Sequence, residues 1–486
     1  MKVLMVSSEI SPLAKTGGLA DAVAALAGAL VRLGVDLTGV MPAYRTALEK
    51  LSPVEETGME IEVSIGGRSA RGIILKASIK NCVSIYLIRA DAYFMRDGLY
   101  GSARGDYADN AERFVFFCKG ALELAGKTAP WDVIHCNDWQ TALIPVLKKT
   151  QSHVYPKIEK TKDLLTIHNL AHQGIFSPSA WNLLGLDVRY FRPRYLEFYG
   201  NINLLKGGIL FADVLTTVSK KYAAEIKTSE YGCGLEGVIR DRERDLYGIL
   251  NGVDYQEWNP ETDPHIKERY TDKNLSGKKN CKEDLQQNCG LPTEPSVPLI
   301  GMVSRLADQK GVDVLVDIID DLMQMDLQLI LLGSGEQRYQ ELLAGLPAKH
   351  TRKIAVRIGF DNTLAHKIEA GADMFLMPSK FEPCGLSQMY SLKYGTIPIV
   401  RATGGLDDTI QDYDPRTETG NGIKFSAYSG PTLLEAVKRA IALYCNPQAW
   451  RRLMANAMAS DFSWQRSATE YYGLYRQLVD TASRQR

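Results

Sequence analysis

Cysteine is scarce in this chain, and so are long apolar runs. Only eight of the 486 residues are cysteine, and no two form a Cys-x-x-Cys pair. We therefore expect no disulfide scaffold, zinc ribbon or thioredoxin-like site. We expect instead the reduced thiols of a cytoplasmic protein. The longest apolar helical run, residues 22–31, lies between Asp21 and Arg32. It is far shorter than the roughly 20 residues that cross a bilayer, and the first residues turn polar too soon for a secretion signal. We expect a cytoplasmic protein with no membrane partner.

Net charge is also lacking, since 57 Lys and Arg balance 57 Asp and Glu. A nucleic-acid partner, which needs a broad basic face, is therefore not expected, although a small anion site remains compatible with this balance. Apolar content of 45% and charged content of 23% are ordinary for a globular enzyme. Because a single core stops growing at about 250–300 residues, the length favours two domains.

Strand and helix patterns alternate in two sets along the chain. In the first set, strands are predicted at 2–7 and 35–41, on either side of a helix at 19–33. Further strands are predicted at 133–136, 164–168 and 214–218. Ser219 is predicted to cap a helix at 220–226. Residues 271–298 have the composition of a linker or surface loop. The second set predicts strands at 299–304, 328–332, 354–358, 374–377 and 397–400, with helices at 312–325 and 364–370. This alternation predicts an α/β fold with two doubly wound parallel sheets, and a ligand cleft between them.

A glycine loop, Lys15-Thr16-Gly17-Gly18, lies between the first strand and the first helix. Backbone N–H groups at a helix N-terminus suit a phosphate, and the glycines allow close approach. A plain strand-to-helix turn is the alternative. The loop is not a Walker A motif, and Gly333-Ser334-Gly335 fails the dinucleotide fingerprint because Arg338 stands at the third glycine position.

Two strand ends in the second half carry charged residues. Arg305 and Lys310 flank one loop and are predicted to clamp a diphosphate, with solvated surface cations as the alternative. Glu382 follows another strand, where its carboxylate can accept hydrogen bonds from sugar hydroxyls beside the amides of residues 384–386. Cys384 is interpreted as a packed turn residue, because the sequence places no base beside its thiol.

Polar residues also follow two strands of the first half. Asp138 follows one strand, and His168 and Asn169 follow another. His168 and His172 have helical spacing, but no further ligand makes a metal site. We interpret His168 as a ligand-facing residue and His172 as structural.

Together these strand-end motifs resemble the bacterial glycogen synthase and plant starch synthase family over essentially the whole chain. The matching stretches are KTGGLAD at 15–21, HCNDWQT at 135–141, TIHN at 166–169, LTTVS at 215–219, ILNGVD at 249–254, SRLADQKG at 304–311, EPCGL at 382–386 and RATGGLDDTI at 401–410. The resemblance implies the GT-B arrangement, in which two Rossmann-like domains face a deep cleft. It implies an acceptor-side domain at 1–248, joined by a C-terminal helix at 461–486 that crosses back, and a donor-side domain at 249–460.

The resemblance further implies transfer of glucose from ADP-glucose or UDP-glucose to the non-reducing end of an α-1,4-glucan, with retention of configuration. The implied catalytic residues are His168, Arg305, Lys310 and Glu382. The implied substrate-binding residues are Lys15, Gly17, Gly18, Asp21, Asp138, Asn169, Asn251, Cys384, Gly385, Leu386, Thr403, Gly404 and Gly405. No metal and no cofactor are expected, because Arg305 and Lys310 supply the positive charge.

Two positions depart from the family pattern. Residues 94–98 read Phe-Met-Arg-Asp-Gly where relatives have aromatic-Asp-Arg-Pro-Gly, and Tyr390 stands where many GT-B relatives carry a second glutamate. Two rival functions are also compatible with the sequence. An α-glucan phosphorylase would need a lysine-bound pyridoxal phosphate, for which no motif is present. A non-catalytic glucan or sugar-nucleotide binder would have no need to neutralise a departing diphosphate.

Overall fold

The computed structural model describes residues 1–51, 53–79, 83–102 and 105–484, which form two units. Unit 1 contains Met1–Val218, Ala223–Gly252 and the C-terminal residues from Trp464, and unit 2 contains Ser219–Tyr222 and Val253–Ser463. By this division the chain leaves unit 1 after Gly252, whereas the sequence placed the boundary after residue 248. Asn251 accordingly belongs to unit 1.

The strands are numbered in chain order. They are β1 (Lys2–Val6), β2 (Asp36–Pro42), β3 (Glu55–Ile65), β4 (Arg68–Ile79), β5 (Val83–Arg89), β6 (Gly101–Ser102), β7 (Gly105–Asp106), β8 (Val133–Asn137), β9 (Lys162–Ile167), β10 (Ile175–Phe176), β11 (Glu197–Phe198), β12 (Asn201–Asn203), β13 (Val214–Thr217), β14 (Leu246–Gly248), β15 (Leu299–Val303), β16 (Gln328–Gly333), β17 (Ile354–Ile358), β18 (Met374–Met377), β19 (Ile397–Arg401) and β20 (Ile423–Phe425).

The α-helices are numbered in the same way. They are α1 (Gly18–Arg32), α2 (Arg45–Lys50), α3 (Asp91–Phe94), α4 (Asn110–Thr128), α5 (Leu143–Thr150), α6 (Trp181–Leu184), α7 (Leu204–Phe211), α8 (Lys220–Glu225), α9 (Glu236–Asp241), α10 (Ser276–Asn288), α11 (Val312–Asp317), α12 (Ile319–Gln324), α13 (Gln337–Lys349), α14 (Asn362–Gly371), α15 (Ser387–Tyr394), α16 (Gly404–Thr409), α17 (Gly430–Tyr444), α18 (Pro447–Met458) and α19 (Trp464–Arg484).

The main sheet of unit 1 has the strand order β14-β13-β9-β8-β1-β2-β5-β4-β3. Strands β14 through β5 in this order pair in parallel, whereas β4 pairs antiparallel with both β5 and β3. The sequence did not predict this antiparallel extension. The strand order reverses between β1 and β8, which is the switch point at which open α/β sheets bind ligands.

The sheet of unit 2 is parallel throughout, in the order β17-β16-β15-β18-β19-β20. Every residue of β16 and β18 is buried, as expected for strands covered on both faces. The order reverses between β15 and β18, so the switch point of unit 2 lies where these two strands end. Two doubly wound sheets, as the sequence predicts, are confirmed.

Two sequence expectations in unit 2 are wrong. Residues 271–298 are not a plain loop, because they contain helix α10, which buries Lys278, Cys281 and Leu285 along one face. A lysine such as Lys278 is typical of a solvent-exposed segment. Here its ammonium is buried and donates to the carbonyls of Ala370 and Ala372, each at 3.0 Å. The single helix predicted at 312–325 is instead interrupted at Ile318, giving α11 and α12.

Helix α19 packs in unit 1 through one buried face. Trp464, Tyr471, Tyr475 and Leu478 are 5%, 1%, 0% and 8% exposed. The Tyr475 hydroxyl lies 2.6 Å from Nδ1 of His135, a buried residue of β8. Within the described ranges, no helix is long and apolar enough to cross a membrane.

Candidate functional site

The switch point of unit 2 brings together Lys310 and Glu382. Lys310 lies in the loop after β15, and Glu382 lies in the turn after β18. The Lys310 ammonium donates to Glu382 Oε2 at 2.5 Å, and the Ser379 hydroxyl donates to the same oxygen at 3.1 Å. The Glu382 side chain is only 7% exposed, so Lys310 neutralises a carboxylate that is largely shielded from water. An ammonium has three donors, and two therefore remain for a ligand.

Arg305 lies in the same loop and is exposed. Its guanidinium contacts Gln309 Oε1 at 3.3 Å, while the Gln309 carbonyl accepts the backbone N–H of Lys380 at 2.9 Å. Gly311 closes the loop with φ of 73°, where a Cβ would lie 2.1 Å from the Pro378 carbonyl oxygen. Only glycine fits at this position, so the loop is held against the segment that carries Glu382.

The turn of residues 382–386 rests on the N-terminus of α16. A Cβ on Gly404 would lie 1.9 Å from the Glu382 carbonyl oxygen, and one on Gly405 would lie 2.1 Å from that of Cys384. The Gly405 N–H donates to the Glu382 carbonyl at 3.0 Å. These two glycines therefore position the turn by close packing, and the Gly405 N–H is already engaged.

The rest of this turn is buried or half-buried, and its carbonyls are hydrogen-bonded. Cys384 is 5% exposed, Gly385 has φ of 70°, and the Gln388 amide donates to both of their carbonyls, at 3.1 and 3.0 Å. Leu386 precedes α15 as its N-cap residue, and Thr403 holds the same position before α16. The predicted residues of the second half thus meet in unit 2.

The glycine loop of unit 1 leads into α1 beside the end of β1. Lys15 pairs with Asp21 in the first turn of α1, with 2.7 Å between Nζ and Oδ2. Gly17 is the N-cap residue of α1. Among the residues that the structure describes, none has an atom within 4 Å of a Cβ added to Gly17. Together with Gly18, the first residue of α1, it leaves open space before exposed helix N–H groups, which suits an anion.

Glu9 holds this loop, and sequence reasoning missed it. Its buried carboxylate accepts the Thr16 N–H at 2.5 Å, the Thr16 hydroxyl at 2.7 Å and the Tyr100 hydroxyl at 2.6 Å. The available signal was a carboxylate three residues after a buried strand. Two of these donors belong to Thr16, seven residues from Glu9, whereas the third belongs to Tyr100, 91 residues away, and no local pattern reveals that contact.

Asp138 and His168 lie at the carboxyl ends of β8 and β9. Asp138, with φ of 55°, accepts the His168 backbone N–H at 2.7 Å. Burial raises the pKa of Asp138 to about 7, with a smaller contribution from Glu9. Burial lowers the pKa of His168 to about 3, so its imidazole is neutral at physiological pH. Asn137, not predicted as a site residue, contacts the His168 ring at 3.0 Å.

The remaining predicted residues of unit 1 are less constrained. The Asn169 side chain accepts the Ala171 N–H at 3.0 Å, and Asn251, which follows β14, is 7% exposed. Residues 168–172 form a turn, so His168 and His172 lack the helical geometry that their spacing suggested. In the part of the chain that the structure describes, no group of three or more His, Cys, Asp or Glu side chains could hold a metal ion.

The positions that depart from the family pattern differ in their surroundings. Tyr390 stacks on Trp258, with ring centroids 4.0 Å apart and planes at 3°. Of the two residues in the segment 94–98 that depart from the pattern, Met95 is half-buried, whereas Asp97 is 91% exposed and accepts a hydrogen bond from the Arg45 guanidinium at 2.5 Å. Another residue that sequence reasoning missed, Phe360, follows β17 and is 85% exposed. An exposed aromatic ring at the carboxyl edge of the sheet offers a stacking surface to a planar group.

Comparisons with known proteins agree with this geometry. Residues 2–241 match the starch synthase catalytic domain family, and residues 288–454 match glycosyl transferases group 1. The chain is 46% identical to glycogen synthase 2 of Geobacter sulfurreducens over 483 residues, covering 99% of both chains. It is 46% identical to glycogen synthase of Koribacter versatilis, covering 98% of each.

A solved structure extends the similarity to the fold. The catalytic domain of starch synthase IV from Arabidopsis thaliana, bound to ADP and acarbose, has a TM-score of 0.91 and 34% identity, covering 98% of this chain and 99% of that one. Sucrose-phosphate synthase from Thermosynechococcus elongatus, with a TM-score of 0.62 and 16% identity, shares the fold alone. The predicted GT-B class is confirmed. Two switch-point sites on Rossmann-like sheets and full-length identity to glycogen synthases lead to one conclusion: this chain belongs to the glycogen synthase and starch synthase family of glucosyltransferases.

Proposed function

We propose that this chain transfers glucose from ADP-glucose to the non-reducing 4-hydroxyl of an α-1,4-glucan with retention, UDP-glucose being the other candidate donor. The ion pair of Lys310 and Glu382 carries this proposal, because it places a cation and a sugar-binding carboxylate at the switch point of unit 2. ADP is favoured because the starch synthase with TM-score 0.91 binds it, together with the saccharide acarbose.

Lys310 and Arg305 stabilise the departing diphosphate. Negative charge grows on the phosphate as the glycosidic bond to it breaks, and cations already held in place lower the barrier without reorganising. Lys310 is fixed by Glu382, whereas the exposed Arg305 offers a planar fork to phosphate oxygens. These two side chains supply the charge that a divalent cation supplies elsewhere, so we propose no metal and no cofactor.

Glu382 orients the glucose and does not attack it. Its Oε2 accepts two hydrogen bonds, from Lys310 and Ser379, which lowers the nucleophilicity of that oxygen. Retention then follows from front-face substitution. The bond from the anomeric carbon to phosphate breaks, the bond to the acceptor oxygen forms on the same face, and the acceptor proton passes to the departing phosphate oxygen.

Unit 1 carries its own group of residues that we assign to substrate binding. The open N-terminus of α1, with Lys15, Gly17 and Gly18, suits the phosphates, and the rim of Asp138, His168 and Asn169 suits sugar hydroxyls. Asp21 keeps Lys15 beside the helix. We assign Asn251 to this group because it belongs to the stretch ILNGVD at 249–254, which resembles the family motif. A cytoplasmic location stays a prediction from the sequence.

The test is radiolabel transfer with two donors. The purified chain is incubated with glycogen and either ADP-[¹⁴C]glucose or UDP-[¹⁴C]glucose, and label in precipitated glucan is compared. We expect faster transfer from the ADP donor, and α-linked ends by proton NMR of the product. Preference for UDP-glucose would overturn the donor assignment, and β-linked ends would overturn retention.

A further inference from the structure

We propose that Asn137 is a positioning residue that keeps the proton of the His168 imidazole on Nε2, so that Nδ1 is left as a hydrogen-bond acceptor for a sugar hydroxyl. The second half of this proposal rests on the proposed function, because it names what His168 offers to the substrate. The first half, that Asn137 keeps the proton on Nε2, concerns the free protein and is tested without substrate.

The orientation of the Asn137 amide is fixed by a backbone carbonyl. Asn137 is 1% exposed at the end of β8, and its Nδ2 donates to the Val6 carbonyl of the neighbouring strand β1 at 3.1 Å. Rotating the amide by half a turn would set its oxygen against that carbonyl, which is acceptor against acceptor. The amide oxygen must therefore point away from Val6.

That oxygen faces the His168 ring. Asn137 Oδ1 lies 3.0 Å from His168 Nε2, and an amide oxygen can only accept a hydrogen bond. Nε2 must therefore carry a proton. Burial lowers the pKa of His168 to about 3, so the ring holds one proton at neutral pH and Nδ1 is left bare.

The position of the ring is fixed independently of its tautomer. The His168 backbone N–H donates to Asp138 Oδ1 at 2.7 Å, which anchors the start of the turn after β9. Among the described residues, none hydrogen-bonds to His168 Nδ1. The site thus offers a lone pair on a neutral ring. This lone pair can accept a hydrogen bond from a sugar hydroxyl, and it repels a group that can only accept.

The tautomer is measured directly in the substrate-free protein. The full chain is labelled with ¹⁵N-histidine, and long-range proton–nitrogen correlations are recorded at neutral pH, with His168→Gln used only to assign the signals among seven histidines. We expect two well-separated nitrogen shifts for His168 in the pattern of the Nε2–H form. The pattern of the Nδ1–H form, or of a doubly protonated ring, would overturn the proposal whether or not the enzyme transfers glucose.

The role of Asn137 is then tested with a matched pair of substitutions. Asn137→Leu keeps the shape and removes the acceptor, so the two nitrogen shifts of His168 should move towards each other as the tautomers mix. Asn110→Leu is the control, since Asn110 is a buried amide of the same unit that bonds to Tyr100 and Arg113. It should leave the His168 pattern unchanged. An unaltered Nε2–H pattern in Asn137→Leu would show that Asn137 does not select the tautomer.

A second variant covers the case in which Asn137→Leu does not fold. Asn137→Asp keeps an oxygen acceptor opposite Nε2, while its second oxygen faces the Val6 carbonyl and must carry a proton to replace the lost amide donor. This neutral carboxyl should keep the Nε2–H pattern. An Nδ1–H pattern in that variant would contradict the role assigned to the Asn137 oxygen. Added ligand then tests the proposed contact between Nδ1 and a sugar hydroxyl. Binding of a maltooligosaccharide with ADP should change the ¹⁵N chemical shift of His168 Nδ1 in the wild type. An unchanged shift would rule out the sugar contact and leave the tautomer assignment in place.

Discussion

At the scale of single residues, the proposed function assigns Glu382 to orienting the glucose and not to attacking its anomeric carbon. One oxygen accepts hydrogen bonds from both Lys310 and Ser379. Glu382→Gln keeps the shape and one acceptor oxygen but loses the charge, which should cost about 1.5–3 kcal/mol, or roughly 10- to 100-fold in kcat. The measurement is steady-state transfer, with the exposed Glu341→Gln as control. A glucosyl ester trapped on Glu382 in wild-type enzyme and seen by mass spectrometry would refute front-face substitution.

Glu369 makes the stability of unit 2 depend on pH. Burial raises the pKa of this carboxyl to about 8, with the Ser391 hydroxyl 2.6 Å away. Between pH about 4 and 8 the folded protein holds a proton that the unfolded chain has lost, so the free energy of unfolding falls as pH rises. Glu369→Gln imitates the protonated form and removes this slope.

The Glu369→Gln variant should therefore gain stability over wild type as pH rises through this window, by on the order of 4 kcal/mol at its upper end. Thermal unfolding of both proteins at pH 5, 6, 7 and 8 measures the difference. Parallel curves of Tm against pH would show that Glu369 is ionised in the folded protein.

At the scale of elements, close glycine packing sets the position of the Glu382 turn. Gly404 has φ of 46°, and a Cβ added to it would lie 1.9 Å from the Glu382 carbonyl oxygen. Gly404→Ala must therefore push α16 and the turn apart. A displacement near 1 Å costs about 100-fold in rate. We expect a loss of that size in kcat, measured alongside Tm to separate misplacement from unfolding.

The matched control is Gly237→Ala, on the exposed face of α9, where an added Cβ would meet no atom within 4 Å. It should leave activity intact and raise stability by about 0.5–1 kcal/mol. Wild-type kcat in Gly404→Ala would mean that the contact between α16 and the turn does not position Glu382.

Some strands and helices could be predicted from the sequence, and others could not. The central strands were predictable because continuous apolar runs such as β16 and β18 belong to buried parallel sheets. Helix α10 was not, because its buried face contains a lysine whose charge is satisfied by carbonyls from distant segments. Composition alone counts such a lysine as solvent-facing.

The same distinction applies to the sites. Lys310 and Glu382 were predictable since charged residues directly after central strands collect at the switch point of the sheet. Glu9 and Asn137 were not, because each has partners far away in sequence. Tyr100 lies 91 residues from Glu9, and Val6 and His168 lie 131 and 31 residues from Asn137. Which strand ends become neighbours is decided by the strand order, and no short motif encodes that order.

At the scale of the whole molecule, the proposed function requires the protein to supply its own positive charge to the leaving diphosphate. If Arg305 and Lys310 replace a divalent cation, transfer should continue in excess EDTA at a rate within about twofold of the untreated enzyme. The measurement is initial rate before and after chelation and desalting. Loss of transfer that magnesium or manganese restores would place a metal in the reaction.

The central claim is that the Lys310–Glu382 pair forms the donor site of a glucan-forming glucosyltransferase. Transfer of label from ADP-[¹⁴C]glucose to glycogen tests it in wild type, Lys310→Ala and the control Lys349→Ala, whose ammonium pairs with Asp320 at 2.6 Å and is 59% exposed. We expect label in the glucan with wild type and Lys349→Ala, and a fall in kcat of about 100- to 1,000-fold in folded Lys310→Ala. Wild-type turnover in Lys310→Ala would contradict the account.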